Sequence, residues 1–137
     1  LKLSAVKNDS RLAEQGDWVD KIPNLPGVRL KVRGAHNSDY RMLEAKLTRE
    51  IPRSDRIEGL KPAEQDRILA TLLLETVLID WDGMTEDDEK TPIKYTRDLG
   101  ESLLFDPDAR DFREGVAWAA EVVANRRKAE GGLEVKN

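Results

Sequence analysis

The 137-residue chain contains no cysteine, and that single absence removes disulfide frameworks, thiolate metal sites and thiol nucleophiles together. Histidine occurs once, as His36. A histidine-based metal centre would lack a second ligand of its kind, and a nucleophilic triad could be built around one residue only. His36 is expected to be a loop residue without a chemical task. Runs of about eighteen apolar residues are missing too, and Leu1 to Ser10 holds no apolar stretch long enough for a secretory leader. The expectation is a chain that neither spans a membrane nor leaves the cell by a visible signal. Neither glycine-rich phosphate loop is present, whether GxxxxGK followed by Ser or Thr, or GxGxxG.

Carboxylates are plentiful, but their spacing does not make a site. Between Asp80 and Lys90 lie six acidic residues and one basic one. A calcium-binding EF-hand loop needs oxygen ligands at positions one, three and five, glycine at six and glutamate at twelve. Counting from Asp80, Gly83 falls at four, Met84 at five and Thr91 at twelve. A solvated loop is expected instead. Asp80 and Asp82 could in principle share acid and base work, yet only a cleft would make the pair chemically interesting. The sequence assigns no catalytic, metal-binding or cofactor-binding residue, and the chain is read as a non-enzymatic protein without a cofactor.

Hydrophobic residues make up 39% of the chain and charged residues 36%, which implies a folded domain with a thin core under a heavily charged surface. The formal charge of −4 disfavours a dedicated nucleic-acid binder, whose affinity would come from clustered cations. Charge is uneven all the same. Arg29 to Lys61 carries nine basic and five acidic residues, opposite in sign to the acidic stretch after Ile79. An electrically polar molecule is expected.

Residues 1–17 read as an N-terminal arm, 18–130 as a single helical domain and 131–137 as a flexible tail. The segment from Ile22 to Gly27 carries two prolines and a glycine, the chemistry of a turn. Val28, Leu30 and Val32 then alternate with Arg29, Lys31 and Arg33, the period of a strand with one apolar and one cationic face. Trp18, Val19 and Ile22 could supply an earlier strand of a hairpin. Asn37 and Ser38 are N-cap candidates for a helix whose stripe is Tyr40, Leu43, Leu47 and Ile51, ended by Pro52. Arg53 to Leu60 reads as a polar linker. Pro62 opens a leucine-rich helix running through Ile79, to be broken at Asp82-Gly83. Thr96 and Asp106 cap two further helices. The last carries Phe112, Val116, Ala119, Ala120 and Val123, with Gly131-Gly132 as its expected end. The fold class expected is α+β, mainly α-helical, with a small N-terminal strand or hairpin followed by four helices packed around the leucine-rich central one.

Three tryptophans, Trp18, Trp81 and Trp118, hold much of the aromatic area in a chain only 5% aromatic. Trp81 could be a core plug or an anchor for a partner. A seam between the leucine-rich helix and the last helix is the candidate docking surface, with Trp118, Val122 and Val123 expected to be exposed. The basic strand face, Arg29, Lys31 and Arg33, is a second candidate, for protein or nucleic acid.

Leu72 to Ala124 adds a family pattern. An aliphatic helix runs into Ile79-Asp80-Trp81-Asp82-Gly83, then an acidic loop, Pro92-Ile93-Lys94-Tyr95-Thr96, Leu103-Leu104 and a closing amphipathic helix. This order, with Arg33-Gly34 leading to Asp39-Tyr40, resembles the tail assembly chaperone families of long-tailed bacteriophages. One departure is that Glu89-Lys90-Thr91 stands where those families place a glycine. The resemblance implies a protein that binds the tape measure protein and tail tube subunits during tail morphogenesis, self-associates, and works in the cytoplasm of the bacterial host. Two other readings fit the same residues: a minor tail or neck protein that stays in the virion, and a small nucleic-acid-binding regulator using Arg29 to Lys61.

Overall fold

In the computed structural model, which describes residues 1–128, strand β2 (Arg29–Val32) is the middle of a three-stranded antiparallel sheet. Its neighbours are β1 (Asp17–Val19) and β3 (Leu78–Asp82). Alternation decides which side faces the core: Val19, Leu30, Val32, Leu78 and Trp81 are buried, whereas Arg29 and Asp82 are exposed on the other face. Opposite partners are Val19 with Leu30 across one edge and Leu30 with Trp81 across the other. The register slips between Lys31 and Val32, which pair with Asp80 and Leu78 and leave Ile79 as the extra residue of a bulge.

Helices cover the apolar face. The chain runs α1 (Ser10–Gln15), β1, β2, α2 (Ser38–Glu50), α3 (Arg53–Glu58), α4 (Pro62–Thr76), β3, α5 (Arg97–Leu104) and α6 (Arg110–Ala124). Val116, Ala119 and Val123 of α6 are wholly excluded from water against Leu30 and Val32 of β2. Leu73 and Leu74 of α4, with Val77, close the core from the side. Each such aliphatic side chain contributes about 1.5 to 3 kcal/mol.

This arrangement overturns the expected four helices around a leucine-rich centre. Six α-helices are present among the described residues, and the core centres on β2 and α6. The leucine-rich helix stops at Thr76, and residues 78–82 form a strand. Both edges of β2 need hydrogen-bonded partners because its inner face is buried, and the branched run Val77-Leu78-Ile79 suits extended backbone. Tertiary pairing wins over the helical period of the preceding leucines. The stretch read as a linker holds α3, whose residues are all exposed, so it carries no apolar stripe for a sequence reading to find.

Buried polar groups tie the elements together. Asn37 caps α2 by accepting from the Tyr40 amide at 2.9 Å, and its Nδ2 donates to the carbonyls of Gly34 at 3.0 Å and Thr76 at 2.8 Å. One side chain thus joins the exit of β2, the start of α2 and the end of α4. Arg33 makes a second junction. Its Nε donates to the Glu14 carbonyl at 2.6 Å, and its guanidinium pairs with Asp39 at 2.7 Å and Glu14 at 3.3 Å. Residues 1–17 carry a 3₁₀ turn at Leu3–Val6 followed by α1, which is capped by buried Asp9 and linked to the body where Gly34 N–H donates to the Ala13 carbonyl. Gly83, at φ +87°, lets the backbone pass so close to Gly27 that an added Cβ would sit 2.1 Å from the Gly27 carbonyl oxygen. Helix α6 ends at Ala124, with Asn125 as its C-cap, short of the end expected at Gly131-Gly132, and the predicted tail at 131–137 lies outside the described residues.

Candidate protein-docking groove

Helix α6 has two unequal sides because its side chains differ in size at spacings of three and four. Phe112, Val116, Ala119 and Val123 enter the core. On the neighbouring flank small Ala117 sits next to large Trp118, and this contrast leaves a hollow of about 250 Å³ between α6, α4 and the start of α2. Leu69 and Leu73 of α4 form one wall, Ala117 and Trp118 the other, and Tyr40 with Glu121 completes the rim. Trp118 remains 40% exposed. An amide of Ala35 donating to the Ala120 carbonyl at 2.9 Å closes the lower end.

The groove is mostly apolar with a few polar groups at its edge, the composition of a recognition site. Burial, with the nearby charges of Glu44 and Glu121, raises the Tyr40 phenol above its ordinary value, so it stays a neutral donor at physiological pH. His36 meets Tyr40 edge to face at 5.1 Å and takes a left-handed φ of 59° at the bend before α2. A sequence reading places Tyr40 on the apolar stripe of its helix. Nothing in the sequence indicates that His36 and Ala117 share a groove with it, because the parts come from three separated segments.

The structure distributes the other predicted residues differently. Val123, expected to be exposed, is fully buried, since it lies four residues after Ala119 on the core stripe. Val122 is half-buried on the flank beside it. Trp81 is 5% exposed and is therefore a core residue. Its Nε1 donates to the Ile93 carbonyl at 2.8 Å, and its ring meets Tyr95 and Phe112 edge to face at 4.9 and 5.7 Å. Only Trp118 and the flank of Val122 remain available to a partner.

Arg29, Lys31 and Arg33 do not join the groove, and they do not form a free cationic face. Arg29 stacks over the Trp18 ring at 4.9 Å and pairs with Asp82 at 3.7 Å. Lys31 stands opposite Asp80 in the β2–β3 register. Arg33 is held by Glu14 and Asp39. The starts of the basic and acidic segments, separated in sequence, are neighbouring strands, so the charges of Arg29 and Lys31 lie beside those of Asp82 and Asp80.

Among the described residues no group of three or more His, Asp or Glu side chains is placed to hold a metal ion. None of the described helices is long and apolar enough to cross a membrane. Glu89, in the acidic loop, adopts φ 59°, the left-handed region that glycine favours. Neither a curated protein nor a solved structure matches the chain. A family model does, over residues 35–137, a span containing α2 through α6 and every wall of the groove, and by that match the chain belongs to the YdaY prophage protein family.

Proposed function

We propose that this prophage protein is a tail assembly chaperone, a non-enzymatic protein that covers the apolar face of a tape measure segment until the tail tube polymerises around it. The observation that carries the reading is the open groove between α4 and α6 with Trp118 on its rim. A tape measure protein is long and helical, and a helix with an unburied apolar stripe aggregates unless something shields it. The groove accepts the large aliphatic side chains that an amphipathic helix presents at spacings of three and four. Partly exposed tryptophan beside small residues is the usual chemistry of an interface anchor. Tail tube subunits and a second copy of the chain are the further partners, and the bacterial cytoplasm is the place of action. The paired charges around Arg29, Lys31 and Arg33 weigh against nucleic-acid binding.

Co-expression tests the reading. A tape measure fragment from the same prophage should be insoluble alone and soluble with this chain, and purified particles should lack the chain by mass spectrometry. A fragment that stays insoluble would refute chaperoning. Stoichiometric presence in particles would identify a structural tail or neck protein instead.

A further inference from the structure

A second hollow, of about 290 Å³, lies at the other end of α4, where α5 gives way to α6. Ala63 and Ala70 of α4, together with Leu104, Phe105 and Pro107, make its walls apolar. Phe105 is 39% exposed at the opening, a large aromatic that the fold leaves partly in water. The residue that sets this hollow apart is Arg113. Its side chain is only 9% exposed, and among the described residues its ion-pair partner is Asp66, at 3.7 Å. That separation exceeds a hydrogen bond, and Asp66 is itself 58% exposed. Arginine cannot shed its charge and offers five N–H donors. No fully buried side-chain nitrogen lacks a partner among the described residues, so the Arg113 N–H groups that the fold leaves unused keep access to solvent, and Arg113 lines the hollow. Arg67, also on the lining, donates to Glu64 at 2.9 Å.

From this geometry we infer that the Arg113 hollow binds a carboxylate carried beside an aliphatic group, supplied by a polypeptide as adjacent leucine and glutamate side chains. The largely buried cation lines a mostly apolar hollow, where a charge-assisted hydrogen bond is stronger than in water. The aliphatic group covers the exposed part of Phe105. Arg113 stands one helical turn before Ala117 of the groove, on the same stripe of α6, so one partner chain can reach both. Naming a polypeptide as the occupant rests on the docking reading above; the carboxylate chemistry does not.

Isotope-detected NMR titration with acetyl-Leu-Glu-methylamide provides the test, because it needs no natural partner. Saturable shifts are expected at the Arg113 Nε–H and at the Ala70 and Leu104 amides. The glutamine counterpart, acetyl-Leu-Gln-methylamide, should bind at least tenfold more weakly, and Arg113→Met should abolish the difference between the two peptides. Asp66→Asn, a change at an exposed position that removes the competing carboxylate, should tighten binding severalfold. Equal binding of the two peptides, no response at Arg113, or weaker binding by the Asp66→Asn variant would overturn the assignment. Tighter binding of free 4-methylpentanoate than of the glutamate peptide would reassign the hollow to a small acid. Trp118→Asp should leave this titration unchanged, so a failed chaperone reading and a failed carboxylate site give different results.

Discussion

Truncating Trp81 to alanine removes three contributions whose sizes follow from its surroundings. The indole is almost wholly buried, and deleting such an aromatic side chain costs about 3 to 5 kcal/mol in lost transfer energy and residual cavity. Its edge-to-face contacts with Tyr95 and Phe112 account for part of that loss, at about 0.5 to 1.5 kcal/mol each. The hydrogen bond to the Ile93 carbonyl, which staples the extended segment before α5 to β3, adds about 1 kcal/mol. Trp81→Phe keeps most of the ring contacts and loses mainly the hydrogen bond and the second ring, so about 2 kcal/mol is expected. Urea unfolding followed by far-ultraviolet circular dichroism measures both variants, with the midpoint falling in the order wild type, Phe, Ala at constant slope. A loss below about 1 kcal/mol for Trp81→Ala would show that the indole is not the core plug described, and the anchor role would return to it.

Asn37→Ala should cost about 2 to 4 kcal/mol, because it removes the α2 cap and leaves the buried Thr76 carbonyl without its donor. Asn37→Ser, which can still cap, should recover about 1 kcal/mol of this in the same unfolding assay. The Glu14 carboxylate is held below its ordinary value near 4.5, chiefly by the Ser38 hydroxyl at 2.6 Å and the Ser38 amide, with Arg33 assisting. Its folded-state pKa is depressed, so the stability it contributes is complete above that ordinary value and is lost as pH falls through the lower folded one. Hydrogen exchange should therefore show α1 loosening below about pH 4.5 ahead of α6, and Glu14→Gln should abolish that acid-dependent step.

Local signals in the sequence marked the elements that make their own geometry. Alternation of Leu30 and Val32 with Arg29 and Lys31 marks β2, Asn37 announces the start of α2, and the spacing from Phe112 to Val123 outlines α6. Features that depend on distant partners were hidden. Residues 78–82 follow a leucine helix without a break, and only the unpaired edge of β2 pulls them into a strand. Val123 lies on the apolar stripe of α6 and Trp118 beside it, yet a sequence reading puts both at the seam; one is buried and the other is not because the sheet meets α6 from one side. The pairing of Arg29 with Asp82 joins residues that look like opposite poles of the molecule. Nothing local to Arg113, in the first turns of α6, marks it as buried, and it shares its hollow with Leu104 at the end of α5 and with Phe105 just after it.

Capture of the tape measure fragment by the Trp118→Asp variant tests the groove most directly. Trp118 is 40% exposed, so the Trp118→Asp protein should remain folded and lose about 1 to 2 kcal/mol of unfolding free energy with the covered part of the ring. The reading predicts at least a tenfold loss of fragment binding by the folded variant, since a carboxylate facing Leu69 and Leu73 would oppose any apolar anchor. Full binding by a folded Trp118→Asp protein would contradict it and place the docking surface elsewhere.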